Sequence, residues 1–415
     1  MKKLTLIPLL LFITVLTFTA CDEDDNPSTP TTSDITTPAE LTTALTDIYK
    51  NADAPGFALS VIKNDQLLYQ ETFGKANIQN DQAYTNQTIQ PIGSISKTFV
   101  AAAVVKAIEQ GHFTLDTDIN DILPVELKNP MQPNATIRVK DLVTHTSGLI
   151  DNYYAYFQAY HILPGEDMAT PGAAIMRDDF GAGQREATPL DEFLASYYLE
   201  DGDLYSLDNF AATTPGSTWN YSNIATSLAA YLVEVATETP FKTYVATHIL
   251  QPLGMNNTAY DLDQLDANQL AKLYWDADTP FPQYSNDSYP DAGIYTSNED
   301  LSKYLLNMMQ GVKGQSNTLF SNAGYALLFD PLLPDGITPA SFAENQGIFW
   351  FLNGNIIKHD GSDPGTTCSL EFTKDGKAGY LLMTNMDAST SEHETAYFEL
   401  AQQVDQVISQ FLQAN

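Results

Sequence analysis

Cysteine is nearly absent: the 415 residues contain two, Cys21 and Cys368. Two thiols build neither a disulfide framework nor a thiolate zinc cluster. Histidine is scarce as well. His112, His145, His161, His248, His359 and His393 include no His-x-x-x-His pair, so nothing points to a metal site, and neither metal nor cofactor is expected. Positive charge is the third shortage. Nineteen Lys and Arg stand against 52 Asp and Glu, a formal net charge of −33. That argues against nucleic acid or an anionic membrane surface as a partner through general electrostatics, and self-repulsion favours a monomer. The pentapeptide Gly-x-Ser-x-Gly, which an α/β-hydrolase would carry after a strand, does not occur. What remains is ordinary globular material: 43% hydrophobic, and long enough for one large domain or two lobes with a substantial core.

Long apolar runs are few. One follows Lys2 and Lys3, from Leu4 to about Phe18, and has the form of a secretory signal rather than a membrane span. It ends in Phe18-Thr19-Ala20-Cys21, which resembles a bacterial lipoprotein signal, where the cysteine is lipidated and becomes the new N-terminus. A plain signal peptide with an incidental cysteine is the other reading. Asp22-Glu23-Asp24-Asp25 and a Pro/Ser/Thr stretch through Thr37 read as a flexible tether. The expected division is a signal over 1–20, a tether over 21–37 and a folded domain over 38–415. The expected location is the envelope of a Gram-negative-type bacterium, with Cys21 as a lipid anchor on the outer membrane, periplasmic or surface side.

A second run, Phe99 to Ile108, is apolar on all sides and predicts a buried helix. Its first turn nevertheless carries a hydroxyl and an ammonium, Ser94 and Lys97. Three apart on a helix, they share a face. Burial disfavours the lysine cation and lowers its pKa toward the range of a proton acceptor. The free N–H groups of a helix N-terminus favour negative charge beside the serine. Ser-x-x-Lys also arises by chance as an N-cap followed by a solvated lysine, so the pair alone decides nothing.

Elsewhere, Thr37-Pro38 reads as a helix start, and Lys63-Asn64-Asp65 as the turn of a hairpin between Phe57–Ile62 and Gln66–Phe73. Leu115-Asp116 and the stretch from Ile119 to Pro124 look extended. Asp151 to Ala187 is aromatic, Gly- and Asp-rich and without period, which predicts an insertion or lid. Helical patterns fill the middle, from Pro189 to Met308. Short β runs return between Ile348 and Met383, and a striped helix from Tyr397 to Phe411 closes the chain. This is an α+β plan: an antiparallel sheet built from both chain ends and flanked by helices, with a mainly helical lobe inserted between them.

Two further groups carry chemistry. Tyr221 and Asn223 follow the Pro215-Gly216 turn, and two residues apart in a loop they face the same way. His359-Asp360-Gly361 follows a β run, where glycine lets a substrate lie close to a strand edge. In order and separation, Ser94-Ile95-Ser96-Lys97, Tyr221-Ser222-Asn223 and His359-Asp360-Gly361 resemble the three motifs of the serine β-lactamase and penicillin-recognising enzyme superfamily. The branch is that of class C β-lactamases, D-Ala-D-Ala carboxypeptidases, D-aminopeptidases and related esterases. Thr144-His145-Thr146-Ser147-Gly148-Leu149, Pro252-Leu253-Gly254-Met255 and Ala292-Gly293-Ile294-Tyr295-Thr296 extend the resemblance over about residues 40 to 412.

The resemblance implies a serine hydrolase working through an acyl-enzyme on an amide or ester carbonyl: a D-amino-acid peptide, an ester or a β-lactam. Ser94 would be the nucleophile, with Lys97 and Tyr221 moving its proton. Asn223 would position Lys97 and a substrate amide. His359 would stand in for the third-motif cation beside Gly361, and the backbone N–H groups of Ser94 and Ser362 would form the oxyanion hole. Class C enzymes usually have Lys-Thr-Gly as the third motif, so His359 argues against efficient β-lactam hydrolysis. Asp360, acidic where Thr is common, would disfavour a substrate carboxylate at that edge. His145 and Ser147 read as structural, and Cys368 as a small buried hydrophobe. The rival reading is a catalytically weak or silent penicillin-binding-like protein that recognises peptidoglycan or a partner.

Overall fold

The computed structural model describes residues 35–339 and 342–415. The expected signal, Cys21 and most of the expected tether lie outside that range. The chain begins with helix α1, Pro38–Asn51, started by a capping box in which Thr37 and Glu40 satisfy each other's backbone N–H. Strand β1, Gly56–Lys63, then turns back into β2, Gln66–Asn77. Asn64 and Asp65 make that turn at φ of 50° and 65°. Two successive positive φ values are what a tight hairpin needs to match the strand twist.

The sheet has eight antiparallel strands. Its others are β3 (Gln82–Ala83), β4 (Asn345–Gln346), β5 (Phe351–Asn353), β6 (Ile356–Asp363), β7 (Thr366–Thr373) and β8 (Ala378–Thr384), in the order β4-β5-β6-β7-β8-β1-β2-β3. The two ends of the chain meet at its centre, where β1 pairs with β8 and Phe57 lies opposite Thr384.

Alternation along these strands divides the core in two. Phe57, Leu59 and Val61 face outward with Tyr380 and Leu382, under Leu41 and Leu45 of α1 and the stripe Leu400, Val404, Ile408 and Phe411 of the terminal helix α5, Ser391–Ala414. Ala58, Ile62, Leu370, Leu381 and Met383 face inward to the larger core. At the centre of that core is α2, Ser96–Glu109, buried along nearly its whole length as its apolar sequence requires. Around it are α3, Asn223–Thr237, and α4, Asn298–Val312, the latter capped by Ser297.

Three local expectations change. Ser94 is not in the first turn of α2 but in a 3₁₀ turn, Gly93–Ile95, that leads into it. Ile119 to Pro124 is not extended. Asp118 caps a single 3₁₀ turn, Ile119–Asp121, which buries Ile119 and sets Ile122 and Leu123 partly against the main core. Residues 151–187, expected as an insertion or lid, are regular structure packed into the core. They form helices at Tyr153–Tyr156 and Pro171–Asp178, and a strand, Tyr160–Ile162, paired with Tyr284–Asn286. Tyr156, Tyr160, Met176 and Phe180 are buried in the main core. Aromatic packing replaces a repeating period here, so the sequence gives no regular pattern although the segment is interior.

Candidate active site

The site forms where β6 presses its backbone onto the 3₁₀ turn. A Cβ on Gly361 would fall 2.0 Å from the Ile92 carbonyl oxygen and 3.0 Å from the Ser94 nitrogen. One on Gly93, at φ +50°, would fall 2.7 Å from the Ser362 nitrogen. Only glycine fits at both positions, and their approach sets the Ser94 and Ser362 backbones against each other.

Lys97 reaches back from the first turn of α2 and is fully buried. Its Nζ lies 3.0 Å from Ser94 Oγ and 2.9 Å from the Asp291 carbonyl oxygen, donating to both. Burial brings the ammonium down to about 8, against the opposing pull of Asp291, Asp151 and Asp363. The Tyr221 ring stands with its centroid 5.0 Å from Nζ. Its hydroxyl faces Ser94 closely enough to feel it, without completing a hydrogen bond. Burial keeps this phenol protonated, with its pKa well above the usual value. The ring is held by His145, at 4.6 Å between centroids, and by Phe342 stacked beyond it.

Asn223 does not hold Lys97. It is the first residue of α3, and its amide donates to Asp151 Oδ2 at 2.8 Å. The backbone N–H groups of Asn223 and Ile224 donate to the same carboxylate at 3.0 and 3.1 Å, and Ser222 Oγ joins them at 3.2 Å. A carboxylate at a helix N-terminus satisfies free N–H groups and complements the dipole, and Asp151 here also accepts from the Asn223 side chain. Lys97 donates instead to the Asp291 carbonyl oxygen. Burial raises Asp151 to about 6 despite those bonds.

His359 is not a cation. Its Nδ1 lies 2.7 Å from the Asp360 carbonyl, which can only accept, so Nδ1 carries the proton and Nε2 is a bare acceptor. Burial, then the charge on Lys97, lowers the imidazole to about 3. Nε2 is buried with no hydrogen-bond partner. Asp360 faces away from the nucleophile, bonded through Oδ2 to Lys358 Nζ at 3.1 Å, so it is not the acid at the substrate edge. His145, at φ 56°, accepts the Ser222 N–H on Nδ1. Ser147 Oγ accepts the Leu149 N–H inside its own turn. Cys368 is buried on β7, its thiol pushed up to about 12.

Sequence reasoning missed three carboxylates around Lys97. Asp151 caps α3. Asp291 accepts from Tyr156 at 3.0 Å, Ser288 at 2.6 Å and Ser227 at 3.2 Å. Asp363 accepts from Tyr160 at 2.7 Å, and burial raises it to about 8. Among the described residues, no group of three or more His, Cys, Asp or Glu is arranged to hold a metal ion. The arrangement can activate a serine hydroxyl through a lysine of lowered basicity, with two amides beside it for a developing oxyanion.

Comparison with known proteins matches residues 41–405 to the family model described as Beta-lactamase. A Bacillus subtilis protein named as a penicillin-binding protein, PbpX, is 23% identical over 331 residues, 79% of this chain and 69% of its own length. The protein flp of Staphylococcus aureus (strain MRSA252) is 22% identical over 255 residues, 60% of this chain and 44% of the relative. A human protein named as beta-lactamase-like 1 is 24% identical, covering 80% of this chain and 61% of its own. The chain thus spans less than two thirds of the staphylococcal and human relatives. Among solved structures, the octameric penicillin-binding protein homologue from Pyrococcus abyssi superposes with a TM-score of 0.66 at 21% identity, over 88% of this chain and 77% of the other. A class C beta-lactamase gives 0.62 at 18%, over 88% and 96%. At such identities these likenesses show the fold.

Proposed function

The chain belongs to the Beta-lactamase family, matched over residues 41–405, and on that premise we propose that it is a serine hydrolase acting through an acyl-enzyme on an amide or ester carbonyl. The observation that carries this reading is the 3.0 Å contact of Lys97 Nζ with Ser94 Oγ inside the fully buried start of α2. Ser94 Oγ attacks the carbonyl carbon, and its proton passes to Lys97 in the neutral form. The carbonyl oxygen, now negative, lies against the Ser94 and Ser362 amides. A donor of this kind is worth about 2.7–4 kcal/mol in another serine hydrolase. Tyr221 relays the proton to the leaving group, and water then cleaves the acyl-serine by the same route in reverse.

The test is hydrolysis of p-nitrophenyl butanoate and labelling by a fluorescent fluorophosphonate, in the parent and in Ser94→Ala. The reading requires both signals in the parent and neither in the variant. A parent that is silent toward both overturns it in favour of a binding protein.

The same proposal sets the chain in a bacterial envelope, held by a lipid on Cys21. Its support is the leader, Lys2, Lys3 and the apolar run that ends in Ala20-Cys21. Among the described residues no helix is long and apolar enough to cross a membrane. Incorporation of radiolabelled palmitate that persists in Cys21→Ala would remove the anchor from this account. The charge of −33 supports a monomer, which light scattering on the purified chain checks.

A further inference from the structure

A cavity of 560 Å³ lies at the end of β2, lined by none of the residues placed at the active site. Five carboxamides line it: Asn77, Asn80, Gln82, Asn268 and Gln283. Among the described residues no Asp or Glu does, although the chain has 52. The region as a whole is not short of acid. An adjoining cavity that shares Leu262 and Tyr295 carries Glu186, Asp261, Asp263 and Asp287. Lys272 is the cation of the acid-free cavity. Its backbone is fixed on both sides: the N–H donates to the Ala76 carbonyl at 2.8 Å, and its own carbonyl accepts from Asn385 Nδ2 at 3.0 Å. Its Nζ meets no hydrogen-bond or ion-pair partner among the described residues, whereas Lys242 in the adjoining cavity is taken by Asp261. Asn77 is only 8% exposed. Its Oδ1 accepts the Asn80 N–H at 3.1 Å, and its Nδ2 has no partner among the described residues. Two acids stand beside the cavity, and both are occupied: Glu166 Oε2 by the Gln283 N–H at 3.1 Å, and Asp266 Oδ1 by the Asn268 amide at 2.9 Å. Phe281 and Tyr284 add buried rings to the lining.

We propose that this cavity is a second binding site, separate from the catalytic one, for a saccharide that bears a carboxylate. Its volume falls in the common range of small-ligand pockets, about 300–1,000 Å³. Each carboxamide offers both donors and an acceptor, and a sugar hydroxyl answers both. Phosphate or sulfate offers acceptors alone and would leave the carboxamide oxygens unmatched. The unpaired Lys272 ammonium, in a lining without acid, receives a carboxylate that the rest of this acidic chain would repel. The buried Asn77 Nδ2 gains the acceptor it lacks. The C–H face of a sugar ring packs on Phe281 and Tyr284. No reaction at Ser94 is needed for any of this, so the inference stands apart from the hydrolase reading.

The experiment titrates the full chain with D-glucuronate, D-glucose and propionate, read by saturation-transfer NMR. Glucuronate alone presents both the hydroxyls and the charge. It should bind about fivefold or more tighter than either of the others, the upper end for one partly exposed ion pair. Lys272→Gln should bring glucuronate down to the level of glucose. Ser94→Ala should bind glucuronate as the parent does. Asn80→Ala, at an exposed position, should weaken glucuronate and glucose alike at least twofold, and it decides the matter if Lys272→Gln fails to fold by circular dichroism. Four results overturn the inference: no saturable binding of glucuronate, equal binding of glucose or propionate in the parent, unchanged glucuronate affinity in Lys272→Gln or Asn80→Ala, or its loss in Ser94→Ala, which would seat the sugar in the catalytic site instead.

Discussion

Asp151 holds Asn223 twice, accepting its side-chain amide at 2.8 Å and its backbone N–H at 3.0 Å. This one carboxylate ties the start of the aromatic 151–187 segment to the N-terminus of α3, directly behind the Tyr221 loop. Asp151→Ala should release both. The expected cost is about 1–2 kcal/mol in urea unfolding, the range for a lost helix cap. Ester hydrolysis should drop at least tenfold as Tyr221 loses its fixed place. Asp151→Asn, which keeps one acceptor oxygen, should lose less of each.

Lys97 sets a pH prediction for the rate. Its pKa is lowered to about 8, so the neutral form that accepts a proton grows as pH rises through that value. Values of kcat/KM for a neutral ester should climb between pH 7 and 9 with a midpoint near 8. His359, lowered to about 3, should add no step between pH 5 and 8. Lys97→Arg, which cannot give up its proton at these pH values, should remove the climb and at least 100-fold of the rate.

Gly361 tests the strand's approach to the nucleophile. Gly361→Ala would drive a methyl to 2.0 Å from the Ile92 carbonyl oxygen. The strand must then retreat, at a cost of about 1–3 kcal/mol for an overpacked core and about 100-fold in kcat for displaced amides. Gly183→Ala, with nothing within 4 Å of the added carbon, is the control and should change neither.

Stability should run against the usual acid trend between pH 5 and 8. Burial raises Asp151 to about 6, and Asp363 and Glu371 to about 8. For each, the folded value lies above the unfolded one, so the folded chain holds the proton more tightly. Their contribution is fullest at about pH 4 and below, and is lost as pH rises to 6 and then 8. Buried His145 and His359, which are lowered, act the other way up to about pH 6.5, and the three acids outweigh them across the rest of the window; Lys97 bears only on its upper end. Exposed paired acids such as Asp81 and Asp116, which are lowered, lose stability only at more acidic pH. Melting at pH 5.5 should therefore exceed melting at pH 8 by about 2 °C or more. A flat or opposite trend by scanning calorimetry would contradict the buried acids.

Local signals were the legible ones. The Thr37 capping box, the Asn64-Asp65 turn and the all-round apolar α2 are written in consecutive residues, and each folds as those residues dictate. The α+β plan followed from strands at both chain ends. The Ser94 to Lys97 spacing brings the two side chains together even though a 3₁₀ turn replaces the expected α turn, because both geometries align residues three apart. The carboxylates were not legible. Asp151, Asp291 and Asp363 come from three distant segments, and among 52 acidic residues none stands out until the fold gathers them around Lys97. The partner that Asn223 takes was hidden for the same reason: Asp151 lies 72 residues upstream.

The pairing of β1 with β8 has a consequence for how the molecule comes into being. The first hairpin has no central neighbour until the second-last element of the chain has been made, since Phe57 waits for Thr384. Contacts so distant in sequence form late and slowly. The β6 edge that closes on Ser94 belongs to that same late sheet. A growing polypeptide therefore carries its serine and lysine through most of synthesis without the Ser362 strand beside them, and its site is complete only when its own ends have met.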